Sequence, residues 1–321
     1  MRTAPGGGGL IPMEVAPGIH RIESVLGPRP FSQYLLAEER SLLVDTGVRE
    51  TPAEVILPFL GERRPDLVLN SHADVDHFGG NAAIRSAAPH AVFLAHELDV
   101  PWIESSATIL RERYGWYAAH ELAYPPDVLA WLTDAMGPDC PVDVRLRGGE
   151  QIRLGPSLVV EVLHLPGHSA GHVGLWDPAS RTAIVLDAVM GRGLLDMGGN
   201  VISPPPYFDV QSYLGAARTL TALRPQRLLT AHYDVMEGAE VERFLADTVA
   251  FVEDAGRVAE AALEESGGLS LAELVARADP ELGPFTAMAN ELGGTMRAHL
   301  QALVRDGRAR ADAAATHWTT A

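Results

Sequence analysis

The stretch Ser71-His72-Ala73-Asp74-Val75-Asp76-His77-Phe78-Gly79-Gly80 places four potential metal ligands within six residues. In an extended loop the side chains alternate, so His72, Asp74 and Asp76 are expected on one side. His77 is then expected to point the other way. One loop can therefore present ligands to two adjacent ions.

Potential ligands also follow three other apolar segments, just past the end of each predicted strand. Ends of neighbouring strands lie close together, and a sheet holds them rigidly, which suits a metal site that tolerates little positional error. A random placement of His and Asp would not produce this arrangement. Including the stretch above, which follows residues 67–69, there are four strands with potential ligands after them. The other three are residues 159–165 with His168, 183–186 with Asp187, and 228–230 with His232.

In this order the segments resemble the metallo-β-lactamase superfamily over about residues 13–238. That family usually carries the loop T-H-x-H-x-D-H, followed by a second histidine signature, a bridging aspartate and a last histidine. The matching motifs here are Asp45-Thr46-Gly47, Ser71-His72-x-Asp74-x-Asp76-His77, Pro166-Gly167-His168-Ser169-Ala170-Gly171-His172, Asp187 and His232.

The resemblance implies an α/β fold, a four-layer αββα sandwich, with a two-metal site. A hydroxide that bridges the metals would attack the substrate, and Asp76 would orient it. Tyr233 is a candidate proton donor beside a metal-bound water, and His172 is expected to orient its neighbours. The implied ligands are His72, Asp74 and His168 for one metal, Asp76, His77 and His232 for the other, and Asp187 between them.

Position 74 departs from the family pattern, because Asp stands where most members have His. Oxygen ligands shift the preference of a site toward iron or manganese relative to imidazole. The flavodiiron proteins of the superfamily carry a Glu at the corresponding position. We expect two divalent ions, with zinc favoured and iron or manganese as the alternative. Whether the short Asp74 reaches a metal, and whether only one metal binds, are left open.

Residues 99–138 interrupt the strand pattern with helical stretches rich in aromatic residues. Two interpretations carry equal weight, because aromatic side chains serve either purpose. The segment is a cap that lines a hydrophobic substrate pocket, or it is an insertion that packs its own small core.

Residues 239–321 shift in composition to helix formers and predict a second domain. Residues 241–265 form one long helical pattern, and Ser270 and Glu273 are spaced as a capping box. Residues 295–307 resemble the third helix and wing of a winged helix, a small domain attached to some β-lactamase-like hydrolases. Arginines on and after this helix suggest DNA binding at first sight, but the segment belongs to an acidic chain.

Composition narrows the function classes further. The formal net charge is −17, and no basic stripe of the kind that nucleic-acid binders carry is visible. The single Cys140 excludes an internal disulfide and fits a reducing compartment. No segment approaches the ~20 apolar residues of a membrane span. Residues 1–12 are predicted to form a mobile tail, and the absence of a secretory signal predicts a cytoplasmic protein.

The sequence therefore predicts a metal-dependent hydrolase that cleaves an ester, thioester or lactone bond, as the glyoxalase II-like relatives suggest. Its substrate is expected to be a small hydrophobic or acyl molecule, without nucleic-acid or membrane partners. The alternatives are a di-iron oxidoreductase of the flavodiiron type with a separate electron donor, a phosphodiesterase or nuclease, and a binding protein with a decayed site. Assembly into a homo-oligomer is left open.

Overall fold

Two main sheets form the centre of the chain. The computed structural model describes residues 13–321, so the predicted N-terminal tail, residues 1–12, lies outside it. The first sheet has the order β1-β2-β3-β4-β5-β6-β7, antiparallel as far as β4 and parallel from there on. Its strands are β1 (Met13–Ala16), β2 (Ile19–Leu26), β3 (Arg29–Ala37), β4 (Ser41–Val44), β5 (Leu67–Leu69), β6 (Val92–His96) and β7 (Val144–Leu146).

The second sheet has the order β15-β14-β11-β10-β9-β8, in which β11 and β14 are parallel and the other pairs antiparallel. A separate hairpin, β12-β13, occupies the segment after Asp187. The strands are β8 (Gln151–Arg153), β9 (Val159–His164), β10 (Val173–Asp177), β11 (Thr182–Ile184), β12 (Leu194–Leu195), β13 (Val201–Ser203), β14 (Arg227–Leu229) and β15 (Met236–Glu237).

Helices cover the outer face of each sheet. Turns of π-helix (Pro52–Ile56, Leu110–Tyr114) and of 3-10 helix (Gly115–His120, Ala289–Glu291) extend or join them. The α-helices are α1 (Leu57–Leu60), α2 (Val75–Phe78), α3 (Asn81–Ala87), α4 (Val100–Ile103), α5 (Ser106–Ile109), α6 (Pro126–Ala135), α7 (Val210–Leu223), α8 (Ala239–Ser266), α9 (Leu271–Leu282) and α10 (Leu292–Arg305).

Alternating side chains on the strands form three apolar cores, one between the two sheets and one between each sheet and its helices. In β3 and β4, the paired Leu36 and Leu42 face the second sheet, whereas Leu35 and Leu43 face α1 and α3. The outer face of the second sheet packs in the same way on α7 and the first part of α8. Both faces of the central strands are therefore buried, which explains why β4 and β5 read as continuous apolar runs. The predicted αββα sandwich is confirmed.

The C-terminal region packs its own core around α8, α9 and α10. A three-stranded sheet, β16-β18-β17, closes it, with β16 (Gly268–Ser270), β17 (Ala309–Ala311) and β18 (His317–Thr320). The predicted capping box is confirmed, because Ser270 and Glu273 exchange side-chain and backbone hydrogen bonds. Among residues 13–321 no helix has the length and apolar character that crossing a membrane requires.

This region is tied closely to the sandwich. Thr295 donates a hydrogen bond to the carbonyl of Pro205 at 2.9 Å, and the Tyr207 hydroxyl lies 2.7 Å from Nε2 of His299. The apolar core of the helices also includes Tyr207 and Tyr213. The division into two domains at residue 239 and the winged-helix assignment stay predictions.

Candidate metal centre

The predicted ligands lie at one edge of the sandwich, where strands of both sheets end. In the first sheet β4 and β5 run parallel, and Asp45 and His72 follow them. In the second sheet β11 and β14 run parallel, and Asp187 and His232 follow them. Because parallel strands end at the same edge, four segments distant in sequence bring these side chains to one place.

The ligand loop differs from the predicted extended conformation. Asp74 is extended, with φ −115° and ψ 147°, but α2 starts at the next residue. Asp76 and His77 therefore belong to a helical turn, and the expected alternation through position 76 is wrong. The turn brings both side chains to the side that faces the second sheet, where Asp187 and His232 lie.

The donor atoms form two adjacent groups. Within each group they lie within 4.8 Å of one another. Oδ2 of Asp187 is 3.3 Å from Nε2 of His77 and 3.4 Å from Nε2 of His232, so the carboxylate of the first group also touches the second. The groups are His72, His168 and Asp187, and Asp76, His77 and His232.

Backbone carbonyls orient two of the histidines. Nδ1 of His168 donates to the carbonyl of Pro206 at 2.7 Å, and Nδ1 of His232 donates to the carbonyl of Pro30 at 3.0 Å. A carbonyl only accepts hydrogen bonds, so Nδ1 of each ring carries a proton and Nε2 is the nitrogen that faces the centre.

Asp45 orients the other two. Its Oδ2 lies 2.7 Å from Nδ1 of His77 and accepts from the Ser71 hydroxyl at 2.8 Å, and that hydroxyl lies 2.9 Å from Nδ1 of His72. Among residues 13–321, Nε2 of His72 and Nε2 of His77 are buried without a hydrogen-bond partner. Unpartnered buried nitrogens that converge with carboxylates fit a pair of divalent cations, for which imidazole and carboxylate are the usual donors.

Burial and neighbouring charges set the protonation state of the donors. Burial would raise the pKa of Asp187, but His232 and His77 outweigh it and hold that pKa well below its usual value. Burial lowers the pKa of His72 well below normal. For His77 the effect of burial is outweighed by carboxylates, Asp45 first, which raise its pKa. Without cations this imidazole therefore holds a proton that a metal would displace.

Asp74 differs from the other predicted ligands, because it already forms an ion pair with an arginine side chain. Nε of Arg113 lies 3.2 Å from Oδ1, Nη2 lies 3.2 Å from Oδ2, and the Tyr114 hydroxyl donates to Oδ1 at 3.3 Å. Oδ2 also lies 3.0 Å from Nε2 of His168 and 3.7 Å from Nε2 of His72. Asp74 thus faces the metal centre and Arg113 at once.

Tyr233 is not where a proton donor would have to be. Its hydroxyl donates to the carbonyls of Met190, at 3.0 Å, and Gly193, and its ring packs edge-on against Phe244. The cavity beside the metal centre is lined by other residues. The contacts of Tyr233 do not favour its predicted role, because its hydroxyl is bound to backbone carbonyls and its side chain packs on the apolar cluster that includes Phe244.

Asp99 is a structural link that the sequence analysis missed. Its Oδ2 accepts from the backbone nitrogen of Ala73 at 3.0 Å and from the Ser169 hydroxyl at 2.6 Å, and its Oδ1 accepts from the nitrogen of Gly171 at 2.7 Å. It therefore ties the first ligand loop to the second. The available signal was its position shortly after the apolar strand β6, the pattern that the ligands follow.

The aromatic insertion contributes both to an apolar core and to the lining of the cavity beside the candidate metal centre. Tyr117 and Tyr124 pack in a core with Phe78 of α2. Trp131 and Leu132 line the cavity beside the metal centre. His172, predicted to orient its neighbours, is buried and stacks on the ring of His72 with centroids 4.6 Å apart.

Known proteins resemble this chain in sequence. Residues 26–232 match the family model described as the Metallo-beta-lactamase superfamily. Acyl-coenzyme A thioesterase MBLAC2 of Homo sapiens is 24% identical over 269 residues, 81% of this chain and 85% of that protein. A hydroxyacylglutathione hydrolase of Fuscovulum blasticum is 29% identical over 98 residues, 30% of this chain and 35% of that protein.

Solved structures share the fold. A metallo-beta-lactamase family protein from Thermus thermophilus superimposes with a TM-score of 0.72 at 19% identity, and the match covers 96% of this chain and 100% of that one.

Proposed function

Because the chain belongs to the metallo-β-lactamase superfamily, we propose that it is a metal-dependent hydrolase that cleaves thioester bonds of small acyl substrates. Two relatives support the choice of bond. One is named as an acyl-coenzyme A thioesterase and the other as a hydroxyacylglutathione hydrolase, and acyl-coenzyme A and acylglutathione compounds are both thioesters. Esters and lactones present a similar carbonyl carbon and serve as the comparison substrates.

The observation that carries the proposal is the contact of Asp187 with both donor groups. Its Oδ2 approaches Nε2 of His77 and of His232, while its donor atoms also group with those of His72 and His168. Two bound divalent cations supply Lewis acidity and acidify water. We propose zinc for both positions, because four of the six donors are imidazoles.

The residues around the cations position water and substrate. Asp76 lines the cavity with Oδ2 3.7 Å from Nε2 of His232, and we assign it the orientation of the attacking water. Trp131 and Leu132 form an apolar wall that suits an acyl chain. Arg29 and Glu291 also line the cavity, and Arg29 forms no ion pair within residues 13–321, so we assign its guanidinium to an anionic part of the substrate.

The two other catalytic alternatives find less support. The redox alternative rested on the extra negative charge of Asp74, which Arg113 balances. Binding of a nucleic acid would require free arginines on α10 and after it. Three of the four arginines there are engaged, and Arg310 is the exposed exception. Arg305 pairs with Asp209 at 3.0 Å, Arg308 pairs with Glu260, and Arg297 lies over the ring of Trp116.

The proposal is tested by activity of zinc-loaded protein on acyl-coenzyme A thioesters of increasing chain length, p-nitrophenyl esters, lactones and a phosphodiester. We expect thioesters to have the highest kcat/KM. Asp187→Ala is expected to lower it at least about 100-fold, because both donor groups lose a shared carboxylate. Asp247→Ala, which removes an exposed carboxylate on α8, is the control. Cleavage of the phosphodiester alone, or more than a tenth of the activity in Asp187→Ala, would refute it.

A further inference from the structure

Arg113 is a buried arginine next to the candidate metal centre, a site proposed to bind cations. Its side chain is 3% exposed, and among residues 13–321 Asp74 is its ion-pair partner. A guanidinium does not lose its proton in a protein, so this charge is permanent. A permanent positive charge would repel divalent cations bound at this site, so its position there requires an explanation.

The arginine is held in place from several sides. It lies on the π-helical turn Leu110–Tyr114 of the insertion, its guanidinium carbon is 4.7 Å from the centre of the Phe208 ring, and its Nη1 lies 3.3 Å from the Tyr117 hydroxyl. Its Nε and Nη2 then meet the two oxygens of Asp74 side by side. This two-point contact with a carboxylate is the geometry that arginine provides and lysine does not.

The charges at the site explain the pairing. Of the seven predicted ligand positions three carry a carboxylate, Asp74, Asp76 and Asp187, one more than with histidine at position 74. Arg113 cancels that surplus. We propose that Arg113 is a counter-ion built into the insertion that neutralises Asp74, so that the carboxylate at position 74 adds no net charge to the metal centre, as an imidazole would.

This inference rests on the proposed metal-dependent function, but it makes its own prediction about metal affinity. Removal of one partner of a buried ion pair leaves the other charge uncompensated. Asp74→Asn strands the Arg113 guanidinium beside the cations, and we expect the affinity for Zn²⁺ to fall at least about tenfold. Arg113→Gln leaves Asp74 free to face the cations, and we expect affinity equal to or higher than that of the wild type.

The decisive variant combines both changes. Asp74→Asn with Arg113→Gln removes both charges and is expected to restore the Zn²⁺ affinity to within about threefold of the wild type. Affinities are measured by competition with a chelator at fixed pH, without substrate, on variants whose fold is checked by circular dichroism. Arg111→Gln is the matched control, because Arg111 is on the same turn but 65% exposed.

Two outcomes would refute the counter-ion role. A double variant that binds Zn²⁺ as weakly as Asp74→Asn would make Asp74 a ligand in its own right and refute the counter-ion role. An Asp74→Asn variant with wild-type affinity would refute it too. If Arg113→Gln does not fold, Arg113→Met, which keeps the apolar contact with Phe208, carries the same test. A wild type that binds Zn²⁺ but leaves thioesters intact would refute the proposed function alone.

Discussion

The carboxylate of Asp45 lies 2.7 Å from Nδ1 of His77, and neither side chain is more than 1% exposed. Asp45 also accepts hydrogen bonds from the backbone nitrogen and the hydroxyl of Ser71. Asp45 comes from the end of β4, whereas Ser71 and His77 flank the ligand loop after β5. One residue of a neighbouring strand thus fixes the ring orientation of a proposed ligand and the start of its loop.

Asp45→Asn should weaken metal binding without unfolding the protein. Asp45 has φ 63°, a left-handed conformation that Asn adopts readily, so the backbone is not strained by the change. Loss of the negative charge weakens the hold on His77, and we expect Zn²⁺ affinity to fall about 10-fold. Chelator competition measures it, with Asp234→Asn, almost fully exposed, as the control. An affinity within about threefold of the wild type would show that the charge of Asp45 is not needed.

Asp99→Ala should destabilise the fold around both ligand loops. The change leaves the backbone nitrogens of Ala73 and Gly171 and the hydroxyl of Ser169 without their acceptor in a buried place. Unpaired buried donors cost about 1–3 kcal/mol each, and relaxation offsets part of this, so we expect a loss of about 3 kcal/mol. Urea unfolding of metal-free protein gives the value. A midpoint equal to that of the wild type would contradict the linking role.

Tyr233→Phe tests the earlier prediction that this residue donates a proton. Because its hydroxyl is bound to backbone carbonyls away from the cavity, we expect kcat to stay within about threefold of the wild type. The lost hydrogen bond should cost about 1 kcal/mol of stability. Steady-state kinetics and thermal unfolding measure the two effects. A fall in kcat of about a hundredfold or more, with unchanged stability, would restore the catalytic role.

His299 should make the stability depend on pH. Burial lowers its pKa from 6.5 to about 4, so the folded protein keeps it neutral next to the Tyr207 hydroxyl. Between these values the unfolded chain binds a proton that the folded chain does not. The stabilisation is therefore complete above pH 6.5, falls as the pH drops, and about 3 kcal/mol of it is lost near pH 4.

The measurement compares wild type with His299→Gln by urea unfolding across this pH range. Glutamine keeps hydrogen-bonding capacity but has no proton to gain, so the difference in unfolding free energy between the two proteins should change with pH. A constant difference would mean that His299 is protonated equally in both states.

Much of the site could be predicted because the information is local. Each proposed ligand follows an apolar strand, and strand ends gather at one edge, so His168, Asp187 and His232 could be expected near the first ligand loop. Helix α7 and the capping box of α9 are likewise predictable from apolar periodicity and from the residues that cap the helices. The extended form of the ligand loop was predicted wrongly, because the helical turn at Val75–Phe78 is too short to leave a periodic signal.

What the sequence by itself determined is therefore which apolar strands precede the proposed ligands, the kind of ligands and the family that the chain resembles. Only the tertiary structure decided the partners of those ligands. Arg113 meets Asp74 across 39 positions, and Asp99 reaches Gly171 across 72. No pattern along the chain encodes such meetings, because they depend on how the insertion folds back over the edge of the sandwich, and buried charges find their counter-charges only there.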